Sequence, residues 1–103
     1  MWAQLSSVRI KEGKADLVGR AMEHLRAFEQ PDSGLLRTIV MQDQTDPERV
    51  FVLVVFASEE KARARESDPR RREGIQALRS TLAEVLEGAP EYVDLDVVAE
   101  LVP

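Results

Sequence analysis

His24 is the only histidine, and the chain has no cysteine. No thiolate nucleophile, thiolate metal site or disulfide is therefore available. His24 is left as the one side chain able to act as an unassisted base near neutral pH, since the single tyrosine, Tyr92, titrates around 10 when unperturbed. It follows an apolar series, Leu17, Val18, Ala21, Met22, Leu25 and Phe28, spaced by three and four residues. On a helix of 100° per residue it sits about 80° from the centre of that stripe, at the rim of the core. There it either overlooks a pocket or lies half in solvent, and the second is the commoner fate of a histidine. Arg37 interrupts an otherwise apolar run. It could hold a carboxylate or enolate bidentately, or pair with Asp94, Asp96 or Glu100. Trp2 and Tyr92 open the first and last extended segments, and each has a polar edge that could orient an aromatic substrate. Packing at a sheet edge or subunit seam is the plainer role for both. Met22 offers a pliable apolar wall, and Phe56 ends the most strand-like run of the chain.

Other chemistries lack their residues. No glycine-rich phosphate loop, acidic metal cluster or Ser-His-Asp set is spaced to work. Lys61, Arg63, Arg65, Arg70, Arg71 and Arg72 are interleaved with Glu59, Glu60, Glu66, Asp68 and Glu73. That mixture, with a net charge of −5 and no interleaved aromatics, describes a mutually paired helical surface rather than a nucleic-acid interface. We therefore expect no metal, no cofactor and no nucleic-acid partner.

The elements that would position these residues are legible in the periodicity. Ala3–Ile10 reads as a strand closed by the turn Lys11-Glu12-Gly13-Lys14, and the apolar stripe from Ala15 onward as an amphipathic helix ending before Pro31. Leu35–Gln42 and Val50–Phe56 read as strands joined by a polar loop, a hairpin. Ser58 followed by Glu59 and Glu60 starts a short second helix. Asp68-Pro69 interrupts it and opens a third, with Ile75, Leu78, Leu82, Val85 and Leu86 as its stripe and Gly88-Ala89-Pro90 as its end. Apolar and acidic residues then alternate from Val93 to Leu101, a final strand.

This order, β-α-β-β-α-β in 103 residues, predicts a single α+β domain, residues 1–103, with a ferredoxin-like antiparallel sheet. Right-handed crossovers put the helices on one face. Yet Val50–Phe56 is apolar at every position, so its other face needs cover as well. An open four-strand apolar face exceeds what monomers expose. A second copy is the simplest cover, giving a homodimer, with a different partner as the alternative. The segment Met1–Ile10 carries Gln4, Ser6, Ser7 and Arg9, unlike a signal peptide, and the apolar run Val50–Ala57 is too short to cross a bilayer. A cytoplasmic protein with no membrane partner is expected.

Several segments resemble the antibiotic biosynthesis monooxygenase family of dimeric α+β-barrel proteins. They are Arg9-Ile10-Lys11-Glu12-Gly13-Lys14 before a helix, Gly34-Leu35-Leu36 opening the second strand, and Asp46-Pro47 in the loop. The fourth is Phe56-Ala57-Ser58-Glu59-Glu60, running through a short helix to Ser67-Asp68-Pro69. The resemblance implies an oxygenase without metal or flavin. In such enzymes a phenolic or hydroquinone substrate is deprotonated and itself reduces molecular oxygen, giving a quinone. The protein supplies an apolar pocket, a base or hydrogen-bond donor, and shielding from water. His24 and Arg37 would then be the catalytic candidates, and Trp2, Met22, Phe56 and Tyr92 the walls around a small aromatic ligand. The chain departs from the family pattern at four points: Phe56 stands where Trp is usual, Arg65 where the helix usually carries His, Arg70 follows Pro69 where a second His is frequent, and no Asn exists. Those losses keep open a second reading, a non-catalytic dimer that binds a small apolar ligand or partner.

Overall fold

The computed structural model describes all 103 residues. Four strands, β1 (Trp2–Arg9), β2 (Leu35–Gln42), β3 (Arg49–Phe56) and β4 (Glu91–Asp96), form one sheet in the order β2-β3-β1-β4. Every neighbouring pair is antiparallel. Three helices complete the ferredoxin-like α+β fold: α1 (Leu17–Phe28), α2 (Glu59–Glu66) and α3 (Arg72–Val85).

Local chemistry sets the boundaries. Backbone N–H of Lys61 donates to Ser58 Oγ at 3.1 Å, capping α2, with Glu59 and Glu60 beside the positive helix end. Asp68 Oδ1 accepts from the Arg70 backbone at 2.9 Å, and Pro69 begins a single 3-10 turn, Pro69–Arg71, that leads into α3. Gly34 turns into β2 at φ +80°, where a side chain would also press on Lys61. In α3, a β-carbon at Gly74 would overlap the Phe28 ring of α1, so this glycine sets how closely the two helices pack.

The last strand is shorter than the alternation predicts. It ends at Asp96 instead of Leu101 because Asp96 lies opposite Trp2, the first residue of β1. One more ladder bond follows, Val97 N–H to Met1 O at 3.2 Å, and then no partner strand remains. Val98 and Leu101 beyond it are 93% and 94% exposed.

Strand parity sorts the sheet into two faces. Trp2, Gln4, Ser6, Val8, Val50, Val52, Val54, Phe56, Thr38, Val40 and Tyr92 face the helices, lining the spaces beneath them. Their neighbours face away in three cross-strand rows: Arg37·Val55·Ala3·Leu95, Ile39·Leu53·Leu5·Val93 and Met41·Phe51·Ser7·Glu91. No helix covers this second face. Beneath the helices the core divides into two small clusters. One joins Trp2, Phe56 and Ala62, with the two rings 6.1 Å apart; the other joins Ile10, Val50 and Val85 at the opposite end. No helix is long and apolar enough to cross a membrane.

Candidate functional site

A cavity of about 340 Å³ opens between α1, α2 and the sheet at the Trp2–Phe56 end. Its walls are Trp2, Met22, Leu25, Leu35, Val54 and Phe56, and the polar groups Gln4, Thr38, Glu29 and Arg65 converge on it. Apolar walls with a few placed polar groups are the usual make-up of a small-molecule site.

Gln4 is held in one orientation. Its Nε2 donates to Asp94 Oδ1 at 3.0 Å, while Arg63 Nη2 donates to the other oxygen at 3.0 Å. An ionised carboxylate only accepts, so the amide must present its nitrogen to Asp94, which leaves Oε1 as the uncommitted acceptor of this cavity-lining residue. The hydrogen bond from Gln4, together with the hydrogen bond and charge of Arg63 and against a burial penalty, holds the Asp94 carboxyl below the usual carboxylate range. Arg63 also lies over the Trp2 ring, 5.1 Å from its centroid, so the same arginine braces two residues of the wall.

Arg65 and Glu29 form the second polar unit. Arg65 Nη2 donates to Glu29 Oε1 at 2.6 Å, and its Nε reaches Oε2 at 3.0 Å and Oε1 at 3.2 Å, a bidentate fork. The two side chains are only 14% and 21% exposed. Burial pushes the Glu29 carboxyl up, but the hydrogen bonds from Arg65 and Ser33, and the charges of Arg65 and Arg71, reverse this and leave it below its ordinary value. Glu29 is therefore a firmly ionised, weak base. The Arg65 guanidinium lies 5.2 Å above the Phe56 ring. Arg71 supports the unit from behind. It is buried, stands over Phe28 at 5.3 Å, and donates from Nη1 to the Arg65 carbonyl at 3.2 Å. No group of three or more His, Asp or Glu is arranged to hold a metal ion.

The residues singled out from sequence do not all meet here. Trp2, Met22 and Phe56 line the 340 Å³ cavity together. Tyr92 lines a second cavity of about 150 Å³, where Met22 is again a wall. His24 is half-buried on α1 and lines neither cavity. Arg37 is exposed in the first row of the sheet's open face. It cannot pair with Asp94 or Asp96, as its charge had suggested, because those two residues belong to the opposite parity, and β2 and β4 are the two edges of the sheet. The basic cluster is paired on the surface through Arg63–Glu66 and Arg70–Asp68, but Arg65 and Arg71 turn inward. Sequence reasoning missed Gln4, Thr38 and Glu29, and noted Arg65 only within the basic cluster and as a departure from the family pattern. For the first two a signal existed: they are polar residues at the core-facing parity of their strands. The Arg65–Glu29 pair joins positions 36 residues apart and leaves no local trace.

The layout defines a ferredoxin-like α+β protein with one ligand-sized cavity between its helix layer and its sheet. Solved structures with this fold include a provisionally assigned antibiotic biosynthesis monooxygenase from Nitrosomonas europaea. It has a TM-score of 0.74 and 18% identity, with 96% of this chain and 100% of that one covered. Similarly assigned proteins come from Chloroflexus aurantiacus (0.70, 22%, 98% and 96%) and Deinococcus radiodurans (0.71, 15%, 100% and 98%). At these identities the likeness speaks to fold alone. No curated protein matches the sequence. The antibiotic biosynthesis monooxygenase family model matches residues 1–77, and the chain belongs to that family.

Proposed function

We propose that this protein is a cofactor-independent monooxygenase acting on a small phenol or hydroquinone in the 340 Å³ cavity. The observation that carries the reading is an apolar cavity bearing an oriented acceptor, Gln4 Oε1, together with a desolvated guanidinium, Arg65. A substrate hydroxyl donates to Gln4 while its ring lies along Trp2, Phe56 and Met22. Arg65 stabilises the phenolate that forms once the proton is lost to water. The electron-rich ring then gives an electron pair to molecular oxygen. The resulting hydroperoxide at a ring C–H carbon loses water, so one oxygen atom leaves in the quinone and one in water. The apolar part of the wall, Trp2, Met22 and Phe56, favours this course by keeping water from the ring carbon that reacts.

The active form in this reading is a homodimer joined through the open sheet face. The row Ile39·Leu53·Leu5·Val93 and its neighbours support it, being too extensive an apolar surface for a monomer.

The test is oxygen uptake and quinone absorbance with a panel of phenols and hydroquinones. Turnover above autoxidation that falls at least tenfold in both Gln4→Leu and Arg65→Met is expected. Uptake equal to the protein-free rate for every substrate would refute the reading. One observation favours a binding module instead: Glu29, the one carboxylate buried at the cavity, is neutralised by Arg65 and gives the site no strong base. Tight ligand binding with no oxygen uptake would establish that alternative.

A further inference from the structure

The second cavity differs in kind from the first. It lies between α1, α3 and the sheet, holds about 150 Å³, and is lined by aliphatic side chains including Val8, Ile10, Val50, Leu78 and Leu82. Ser6 and Tyr92 are its non-aliphatic lining residues apart from Pro90. The Ser6 hydroxyl is already committed, donating to Val52 O at 3.4 Å. Tyr92 is 61% exposed, so its hydroxyl has solvent within reach. A buried water needs two to four polar partners, and this chamber offers none that is free. It is an apolar recess and not a sealed void, since the exposed Tyr92 is part of its lining.

The two cavities also touch. Met22, Leu25 and Val52 line both, so the partition between them is three apolar side chains, one of them the unbranched, adaptable Met22. We infer that the two cavities form one site for an amphiphilic molecule: an oxygenated ring in the larger chamber, and an unbranched alkyl tail that passes Met22 into the smaller one. This rests on the larger cavity being the ring site proposed above. The tail length follows from volume. An aliphatic cavity of about 150 Å³ takes up benzene, which is six carbons, so the chamber accommodates about six.

The experiment is calorimetric titration of the full-length protein with hydroquinone and with n-alkylhydroquinones of one to ten carbons. Burial of each methylene should lower Kd roughly fourfold, with the gain stopping near six carbons. Leu82→Phe, which fills the chamber from α3, should flatten this dependence and leave the parent hydroquinone within twofold. Val8→Leu does the same from the sheet and replaces it if Leu82→Phe does not fold. A wild-type Kd independent of chain length overturns the inference. So does a slope that continues undiminished to ten carbons, or one that survives both substitutions, since each marks binding elsewhere, such as the open sheet face. The two proposals fail separately. A chain-length break without oxygen uptake keeps the tail chamber and removes the oxygenase, whereas turnover indifferent to the tail does the reverse.

Discussion

Replacing Arg65 with Met removes the positive half of a pair that is about four-fifths buried, and leaves the Glu29 carboxylate with no comparable partner. Breaking a fully buried pair costs about 3–5 kcal/mol, whereas an exposed pair is worth about 0–1. Weighting these by the 14% and 21% exposure of the two side chains puts the loss at about 3 kcal/mol. Met keeps most of the contact with Phe56, so little of the loss is packing. In a domain of this size the change should lower Tm by about 15 °C. Removing both charges, Arg65→Met with Glu29→Leu, should restore stability to within about 1 kcal/mol of wild type, because no buried charge is then orphaned. The pH dependence has a definite sign. Glu29 titrates below its unfolded value in the native protein, so its contribution is complete above pH of about 4.3 and fades as pH falls through the lowered native value. Without Arg65, burial of Glu29 is opposed only by the Ser33 hydrogen bond and the Arg71 charge, and protonation relieves the strain. The gap between wild type and Arg65→Met should therefore be widest at pH 7 and narrow towards pH 3. Urea unfolding at fixed protein concentration measures it. A gap below about 1 kcal/mol at pH 7, or one that does not change with pH, would refute the argument that this pair is desolvated.

Leu53→Asp places a charge in the middle row of the open sheet face, between Ile39 and Leu5, and should yield monomers in sedimentation equilibrium. A wild-type protein already monomeric at micromolar concentration would remove the basis for the dimer. Gly74→Ala should destabilise by about 1–2 kcal/mol, overlap with the Phe28 ring outweighing the gain in helix propensity, and Phe28→Leu should relieve it. A stabilised Gly74→Ala in urea melts would mean that α1 and α3 are not packed so closely. His24→Ala should change oxygen uptake less than twofold, since His24 lines neither cavity. A loss of a hundredfold, the usual size of a general-base effect, would return proton abstraction to the imidazole and overturn the mechanism given for Gln4 and Arg65.

What the sequence determined by itself is local or periodic. The stripe Leu17 to Phe28 specified α1, Ser58 and Asp68-Pro69 divided α2 from α3, and the doubly apolar run Val50–Phe56 identified a strand with two faces to cover. Trp2, Met22 and Phe56 fell on the cavity wall because parity and helical phase already turned them towards the helix–sheet space. Arg37 shows where that reasoning stops. Its charge was evident, but which face it occupies depends on the register β2 adopts against β3, including the irregularity between Leu35 and Arg37. The end of β4 at Asp96 was equally invisible, because the alternation continues and only the start of β1 sets the limit. The polar half of the site was settled by tertiary structure alone. Glu29 closes one helix and Arg65 lies in the last turn of another, and each looks like an ordinary surface charge until packing brings them together. Side-chain pairing across 36 residues follows from chain topology and the dielectric of the packed interior, neither of which is written in the residues near the pair.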